Sequence, residues 1–172
     1  TGNYVEAAHP LPITKKGWQH RYYMLHNGVV RGEDTSAIRK DGYTCKSRID
    51  EIKYTRTYSG KVYTTIVDTE INDSEYLGYY VASLLEGQRE DIPMEGAIAC
   101  LVLQQHKKTG VCRVFAMRNY MNPIEVVRTK EKGVYTLQLS SEGKKGATLE
   151  THKIWEVNLS SLALSEHKTV HI

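Results

Sequence analysis

The sequence has no long apolar run. Its longest, at 97–103 (AIACLVL), has the length of a strand, whereas a membrane-spanning helix needs roughly 18 to 20 apolar residues. We therefore expect no transmembrane segment. The 172 residues can bury one sizeable core, and 1–172 is predicted to form a single domain.

Cysteine is scarce. Cys45, Cys100 and Cys112 are odd in number, so at most one internal disulfide can form and a disulfide-built scaffold is excluded. Cys100 and Cys112 lie in apolar runs and are predicted to be small buried thiols. Cys45 has polar neighbours, and an inert thiol is the preferred interpretation there too.

Patterns typical of catalysis or metal binding are also lacking. The chain has no Cys-X-X-Cys, His-X-His or His-Glu-X-X-His, so no metal site is expected, and no glycine-rich phosphate loop, which disfavours nucleotide enzymes. Carboxylates at Asp68, Glu70, Asp73 and Glu75 lack the order of an EF-hand loop and are interpreted as a solvated turn. We predict no catalytic residue and no cofactor, hence a non-enzymatic protein.

Charge of one sign is not concentrated either. The net charge is +3, and the lysines and arginines are scattered, so we expect no nucleic-acid partner. Two Asn-X-Ser sequons begin at Asn72 and Asn158, and they matter only if the chain is secreted.

Strand signals are plentiful. Twelve tyrosines, against two tryptophans and one phenylalanine, suit half-buried strands and binding surfaces. A strand is predicted over 19–25, and two hairpins over 52–68, with a Ser-Gly turn, and over 97–117, around HKKTG. Further strands are predicted at 123–128 and 134–140. The predicted fold is mainly β, a single antiparallel β-barrel or sandwich of about eight to ten strands.

Three segments are harder to assign. The segment 31–42 is charged, bounded by glycine, and predicted to be a long loop. The segment 73–87 carries helix-capping signals as well as a Tyr-Tyr-Val run, and strand is preferred over helix. For 147–164 the preference is a C-terminal helix, although Trp155, Val157 and Leu159 also alternate as in a strand.

Gly17-Trp18 near the start of the chain, and Leu162-Ala163-Leu164 followed by Val170 and Ile172 at its end, frame this meander of strands. In this layout the chain resembles a lipocalin. The resemblance implies an up-and-down barrel with a C-terminal helix, and a secreted carrier of a small hydrophobic or amphipathic ligand, with Trp18 packing at the closed end.

Strand alternation nominates candidate residues for the wall of such a barrel. Ordinary core packing is the alternative for each of them. The nominated residues are Tyr54, Tyr63, Tyr80, Phe115 and Tyr135.

A second resemblance leads to a different class of protein. KKGWQHRYYMLHNGVV and HKKTGVCRVFAMR resemble hairpins of pleckstrin-homology and Ran-binding domains. This implies a cytoplasmic interaction module whose Lys15, Lys16, His20 and Arg21 face acidic lipid or a protein partner. A structural β-sandwich subunit of an assembly, such as a viral coat or matrix protein, is a third alternative. A homo-oligomer is compatible with the carrier.

Overall fold

The computed structural model of the chain describes residues 9–31, 35–47, 52–67, 72–141 and 146–171, without the side chains at 35–36, 52–56, 58 and 63–67. These residues are mainly β, in antiparallel sheets, as predicted. The helices are α1 (Thr35–Lys40) and α2 (Asp73–Leu85). The strands are β1 (Leu11–Ile13), β2 (His20–Asn27), β3 (Val30–Arg31), β4 (Ile52–Tyr58), β5 (Lys61–Val67), β6 (Glu95–Gly96), β7 (Ala99–His106), β8 (Cys112–Arg118), β9 (Glu125–Glu131), β10 (Val134–Ser140), β11 (Ala147–Thr148), β12 (Lys153–Val157) and β13 (Leu164–Thr169).

The main sheet has six strands in the order β1-β2-β7-β8-β12-β13. β2 pairs with β7 over its whole length, from His20 opposite His106 to Asn27 opposite Ala99. The β7–β8 hairpin confirms the predicted turn, where the Gly110 amide donates to the His106 carbonyl and Gly110 has a φ of 72°. The sheet ends at β1 and β13, and no closed barrel is found among the described residues.

Helix α2 packs on one face of this sheet and forms the larger core with it. Leu11, Ile13 and Met24 come from β1 and β2, and they meet the α2 residues Leu77 and Val81. Gly78 allows the close approach, because a Cβ added there would lie 2.7 Å from Ile13 Cδ1. The close packing of α2 therefore buries the apolar residues on this face of the sheet.

A second, smaller core lies on the opposite face. Ala99 and Ala116 point to this side because neighbouring residues in a strand alternate between faces. They pack with Ile124 and Leu149, and Leu139 of β10 contacts the same cluster. β9, β10 and β11 form a separate three-stranded sheet in the order β10-β9-β11, so the second face is partly covered by β-structure.

The preference for a strand at 73–87 is wrong, because this segment forms α2. The Asn72 side chain caps the helix by accepting from the Ser74 amide at 2.8 Å. At the other end the Gln88 amide donates to the Ser83 carbonyl and Gly87 adopts a φ of 74°, which is a Schellman ending. All residues from Ser74 to Leu84 are buried. A helix that is buried on all sides has no polar stripe, so the sequence lacks the 3.6-residue alternation of apolar and polar residues that indicates an amphipathic helix.

The preferred C-terminal helix at 147–164 is also wrong. The segment contains β11, β12 and the turn that leads to β13, because β12 pairs with β8 on one side and β13 on the other. Asn158 follows β12, and its side-chain oxygen accepts from the amides of Ser160 and Ser161. Val170 is buried, whereas Ile172 lies outside the described residues.

Other expectations meet mixed outcomes. The hairpin β4–β5 turns at Ser59 and Gly60 as predicted, and β9 and β10 confirm the strands expected near 123–128 and 134–140. The predicted loop at 31–42 contains α1. None of the helices in the described ranges is long and apolar enough to cross a membrane.

Two predictions about single side chains are also corrected. Cys112 is exposed rather than buried, because it begins β8 beside the turn. Glu75, predicted to lie in a solvated turn, is buried in α2, and Asp68 and Glu70 of the same run lie outside the described residues.

Candidate functional site

Three of the six predicted ligand-binding residues belong to the core that α2 forms with the main sheet. Trp18, Tyr80 and Phe115 are all buried in the same cluster. The Trp18 ring stacks on Tyr79 with centroids 6.1 Å apart, and its indole Nε1 donates to Gln88 Oε1 at 2.9 Å. These side chains therefore fill the interior of the fold, in the way that the core-packing alternative describes.

The other three candidates lie elsewhere. Tyr135 is 63% exposed on β10, with the Lys130 ammonium 4.7 Å from its ring centroid. Tyr54 and Tyr63 belong to β4 and β5, but their side chains lie outside the described part of the structure. The four candidates whose side chains are described thus do not surround one cavity.

A different set of residues lines a cleft where the end of β10 approaches β2 and β7. Its volume is about 290 Å³. We call it the apolar cleft, and its apolar lining consists of Leu25, Ala99, Leu101, Ile124 and Leu139. Leu25 pairs with Leu101 in the β2–β7 register, and Leu25 is 45% exposed although it neighbours a core. Apolar surface left open in a concave site is typical of ligand binding.

Polar groups stand at one side of the apolar cleft. Asn27 Nδ2 donates to Ser141 Oγ at 2.7 Å, which joins β2 to the residue after β10. His26 also lines the cleft. Since a carbonyl only accepts, His26 Nε2 donates to the Ala97 carbonyl at 3.2 Å, and Ser74 Oγ donates to Nδ1 at 2.9 Å. Burial lowers the pKa of His26, so the ring is neutral at pH 7.

Cys100 also borders the apolar cleft, but its side chain belongs to the larger core under α2, on the other face of the sheet from Ala99 and Leu101. Complete burial raises the pKa of its thiol to about 12, and the Met117 backbone contact offsets only part of this. The thiol is therefore protonated at physiological pH and does not act as a nucleophile. The arrangement suits binding of an apolar group with one polar end.

A second cleft, near the start of β2, is strongly basic. Its volume is about 520 Å³, and we call it the basic cleft after its five cationic residues, Lys15, Lys16, Arg21, Lys46 and Lys107. No carboxylate is among its described lining residues. Lys15 forms an ion pair with Asp41, and Lys107 Nζ donates to the carbonyls of Lys15 and Trp18 at 3.1 and 2.8 Å.

Three of the four residues that the second resemblance assigned to an acidic partner line the basic cleft. His20 is the exception. Its Nδ1 lies 3.0 Å from Glu86 Oε1, at the end of α2. His20 therefore belongs to the attachment of β2 to the end of α2.

Protein-family models, curated proteins and solved structures gave no match to this chain. None of the apolar cleft residues was nominated from the sequence. Two sequence signals indicate this region. The run at 97–103 is apolar at consecutive positions, which is typical of a strand buried on both faces. The alternation of Tyr135, Leu137 and Leu139 indicates one apolar side of β10.

Proposed function

We propose that this protein is a non-enzymatic binding protein that holds a small hydrophobic or amphipathic ligand in the apolar cleft. The observation that carries the proposal is the pair Leu25 and Leu101, which leave apolar surface open inside a concave site. Covering that surface with a ligand would remove it from water, which supplies affinity.

The size and polarity of the cleft support a small ligand. A volume of about 290 Å³ is at the lower limit of ordinary ligand pockets, which range from roughly 300 to 1,000 Å³. Asn27 and Ser141 would orient a polar end, while Ile124 and Leu139 would contact the apolar part. The wall of the site is thus built from leucine and isoleucine rather than from the tyrosines.

Binding of a neutral fluorescent probe, N-phenyl-1-naphthylamine, tests this proposal. Leu25→Lys places a charge in the cleft and should weaken binding of the probe by about tenfold or more. Leu103→Lys is the matched control, because Leu103 is a partly exposed leucine on the same face of the sheet that does not line the cleft. Equal affinity in the two variants would contradict the proposal.

Extraction of the natively purified protein with organic solvent, followed by mass spectrometry, would identify a bound compound. A stoichiometric lipid-like molecule that is lost in Leu25→Lys supports the carrier. We propose a secreted location for such a carrier. Glycan mass at Asn158, which is exposed, would support it, whereas Asn72 is buried and caps α2.

The basic cleft favours a second candidate, an interaction module for acidic lipid or an acidic protein surface. Lys16, Arg21 and Lys46 would supply the attraction, since Lys15 and Lys107 already have partners. Binding to vesicles that contain phosphoinositides should weaken steeply with salt. It should also fall in Lys16→Ala/Arg21→Ala, while Arg128→Ala/Lys130→Ala, which removes the same charge from exposed positions of β9, should leave it unchanged.

A further inference from the structure

A third cavity lies between α1 and α2, apart from both clefts. Its volume is about 320 Å³, and most of its lining is polar. Asp41 follows α1, Tyr79, Tyr80 and Ser83 belong to α2, and Gln88 and Arg89 come from the segment after α2. We call it the Arg89 cavity.

Two hydrogen-bond donors that border the Arg89 cavity are buried and unpaired. Ser83 is 1% exposed, and its Oγ makes no hydrogen bond of ordinary geometry. Burial raises the pKa of the Tyr79 hydroxyl, and the nearby Ser83 Oγ acts in the opposite direction. Arg89 Nε is also buried without a partner. Folded proteins pair nearly all buried hydrogen-bond donors, so two unpaired donors at one cavity indicate a site for an acceptor.

The position of the Arg89 guanidinium is set by its neighbours. Its central carbon lies 4.6 Å from the Tyr80 ring centroid, so the group stacks on that ring. On the other side Nη2 is 3.6 Å from Asp91 Oδ1, which is an ion pair but too long for a hydrogen bond. The stacked guanidinium therefore keeps its Nε donor available for another group.

The second charged residue of the cavity is already engaged. Asp41 Oδ2 accepts from the Lys15 ammonium and from the Tyr79 hydroxyl. Its negative charge is thereby offset. Arg89 is the one cation among the described residues that line the cavity, and its ion pair with Asp91 engages Nη2 rather than Nε. The surroundings thus favour a small anion over a cation.

We propose that the Arg89 cavity binds a small carboxylic acid, whose carboxylate accepts hydrogen bonds from Arg89 Nε and Ser83 Oγ. A carboxylate fits because guanidinium and carboxylate groups are both planar and pair through parallel hydrogen bonds. The volume of about 320 Å³ also leaves room for a short carbon chain. This site is independent of the apolar cleft, so either proposal can fail without the other.

Titration of the isotope-labelled protein in nuclear magnetic resonance tests the proposal with acetate and succinate as probes. At constant ionic strength, both should shift the amide signals of Ser83, Gln88 and Arg89. Acetamide has the shape of acetate without its charge and should leave these signals unchanged.

Two variants separate binding from folding. Arg89→Lys keeps the charge but removes Nε and should weaken binding by about tenfold or more. Ser83→Ala should weaken binding several-fold while leaving the unfolding midpoint unchanged or higher, because the hydroxyl is unpaired when the cavity is empty. Arg128→Lys, at an exposed position of β9, is the control and should bind as the parent does.

Three results would overturn the proposal. One is the absence of shifts with either acid at high millimolar concentration. Another is an equal response to acetamide or inorganic phosphate, which would mean that the cavity does not recognise carboxylate. The third is unchanged acetate affinity in both Arg89→Lys and Ser83→Ala.

Discussion

The Glu75 carboxylate, in the first turn of α2, accepts a hydrogen bond from the backbone amide of Ser47 over 2.6 Å. The Lys46 amide and the Tyr43 hydroxyl each donate to its other oxygen at 2.7 Å, and the Ser47 hydroxyl donates as well. Glu75 is only 2% exposed. A buried carboxylate with four donors thus attaches the segment after α1 to the main helix.

Glu75→Gln should destabilise the fold strongly. The amide that replaces one oxygen is itself a donor and would face donors, leaving buried groups unpaired at a cost of about 3 kcal/mol. Urea unfolding measures this as a lower midpoint with an unchanged slope. Glu90→Gln, at an exposed position, should change the midpoint little, and equal effects of the two substitutions would contradict the role of Glu75.

Glu86 should make stability depend on pH. Burial alone would raise its pKa, but hydrogen bonds from the Gln19 and His20 amides, the His20 ring and the Tyr22 hydroxyl outweigh burial and hold the pKa below 4.5. Because this pKa is lower in the folded protein, ionised Glu86 stabilises the fold above pH 4.5. This contribution declines as the pH falls from 4.5 through the folded-state pKa.

The comparison with Glu86→Gln isolates this contribution from that of other acidic groups. The difference in unfolding free energy between the parent and Glu86→Gln should be largest at neutral pH and should shrink as the medium is acidified below pH 4.5. Urea titrations across this range measure it. A difference that stays constant with pH would rule out the proposed hydrogen-bonded carboxylate.

Gly78→Ala should destabilise the protein despite the better helix propensity of alanine. The propensity gain is about 1 kcal/mol, but the new Cβ would lie 2.7 Å from Ile13 Cδ1, inside a packed core. The clash should cost about 1 to 3 kcal/mol, which leaves a net loss of up to about 2 kcal/mol. Ile13→Val removes Cδ1. The double variant should therefore lose less stability than the two single losses together, and strict additivity in thermal or urea unfolding would count against this packing.

The three free cysteines should react in a defined order with iodoacetamide. Cys112 is exposed and should be labelled first in the folded protein. Cys45 is half-buried, with a pKa raised by burial and by Glu75, and should be labelled more slowly. Cys100, with a pKa of about 12, should be labelled only after unfolding. Peptide mapping by mass spectrometry measures the order in which the cysteines are labelled. Early labelling of Cys100 would contradict its position in the core.

The strands and hairpins could be predicted because their signals are local. The Ser59-Gly60 turn and the HKKTG turn carry glycine at positive φ, and the flanking residues alternate or are β-branched. The two wrong assignments have one cause: 73–87 and 147–164 are buried by partners distant in the chain, so their own pattern fits either state. Burial all round removed the helical stripe of α2, while pairing with β8 and β13 decided the strand β12.

Local residue patterns are enough to predict a mainly β chain and its tight turns. Which residues form each site depends on contacts between distant parts of the chain. Leu25, Leu101 and Leu139 are far apart in sequence, and they meet because β2 pairs with β7 while the β10 sheet covers the same face. Trp18, by contrast, was placed in the core by its stacking on α2. The local sequence pattern indicates which face of a strand a side chain points to, but the burial and the neighbours of that side chain depend on long-range strand pairing.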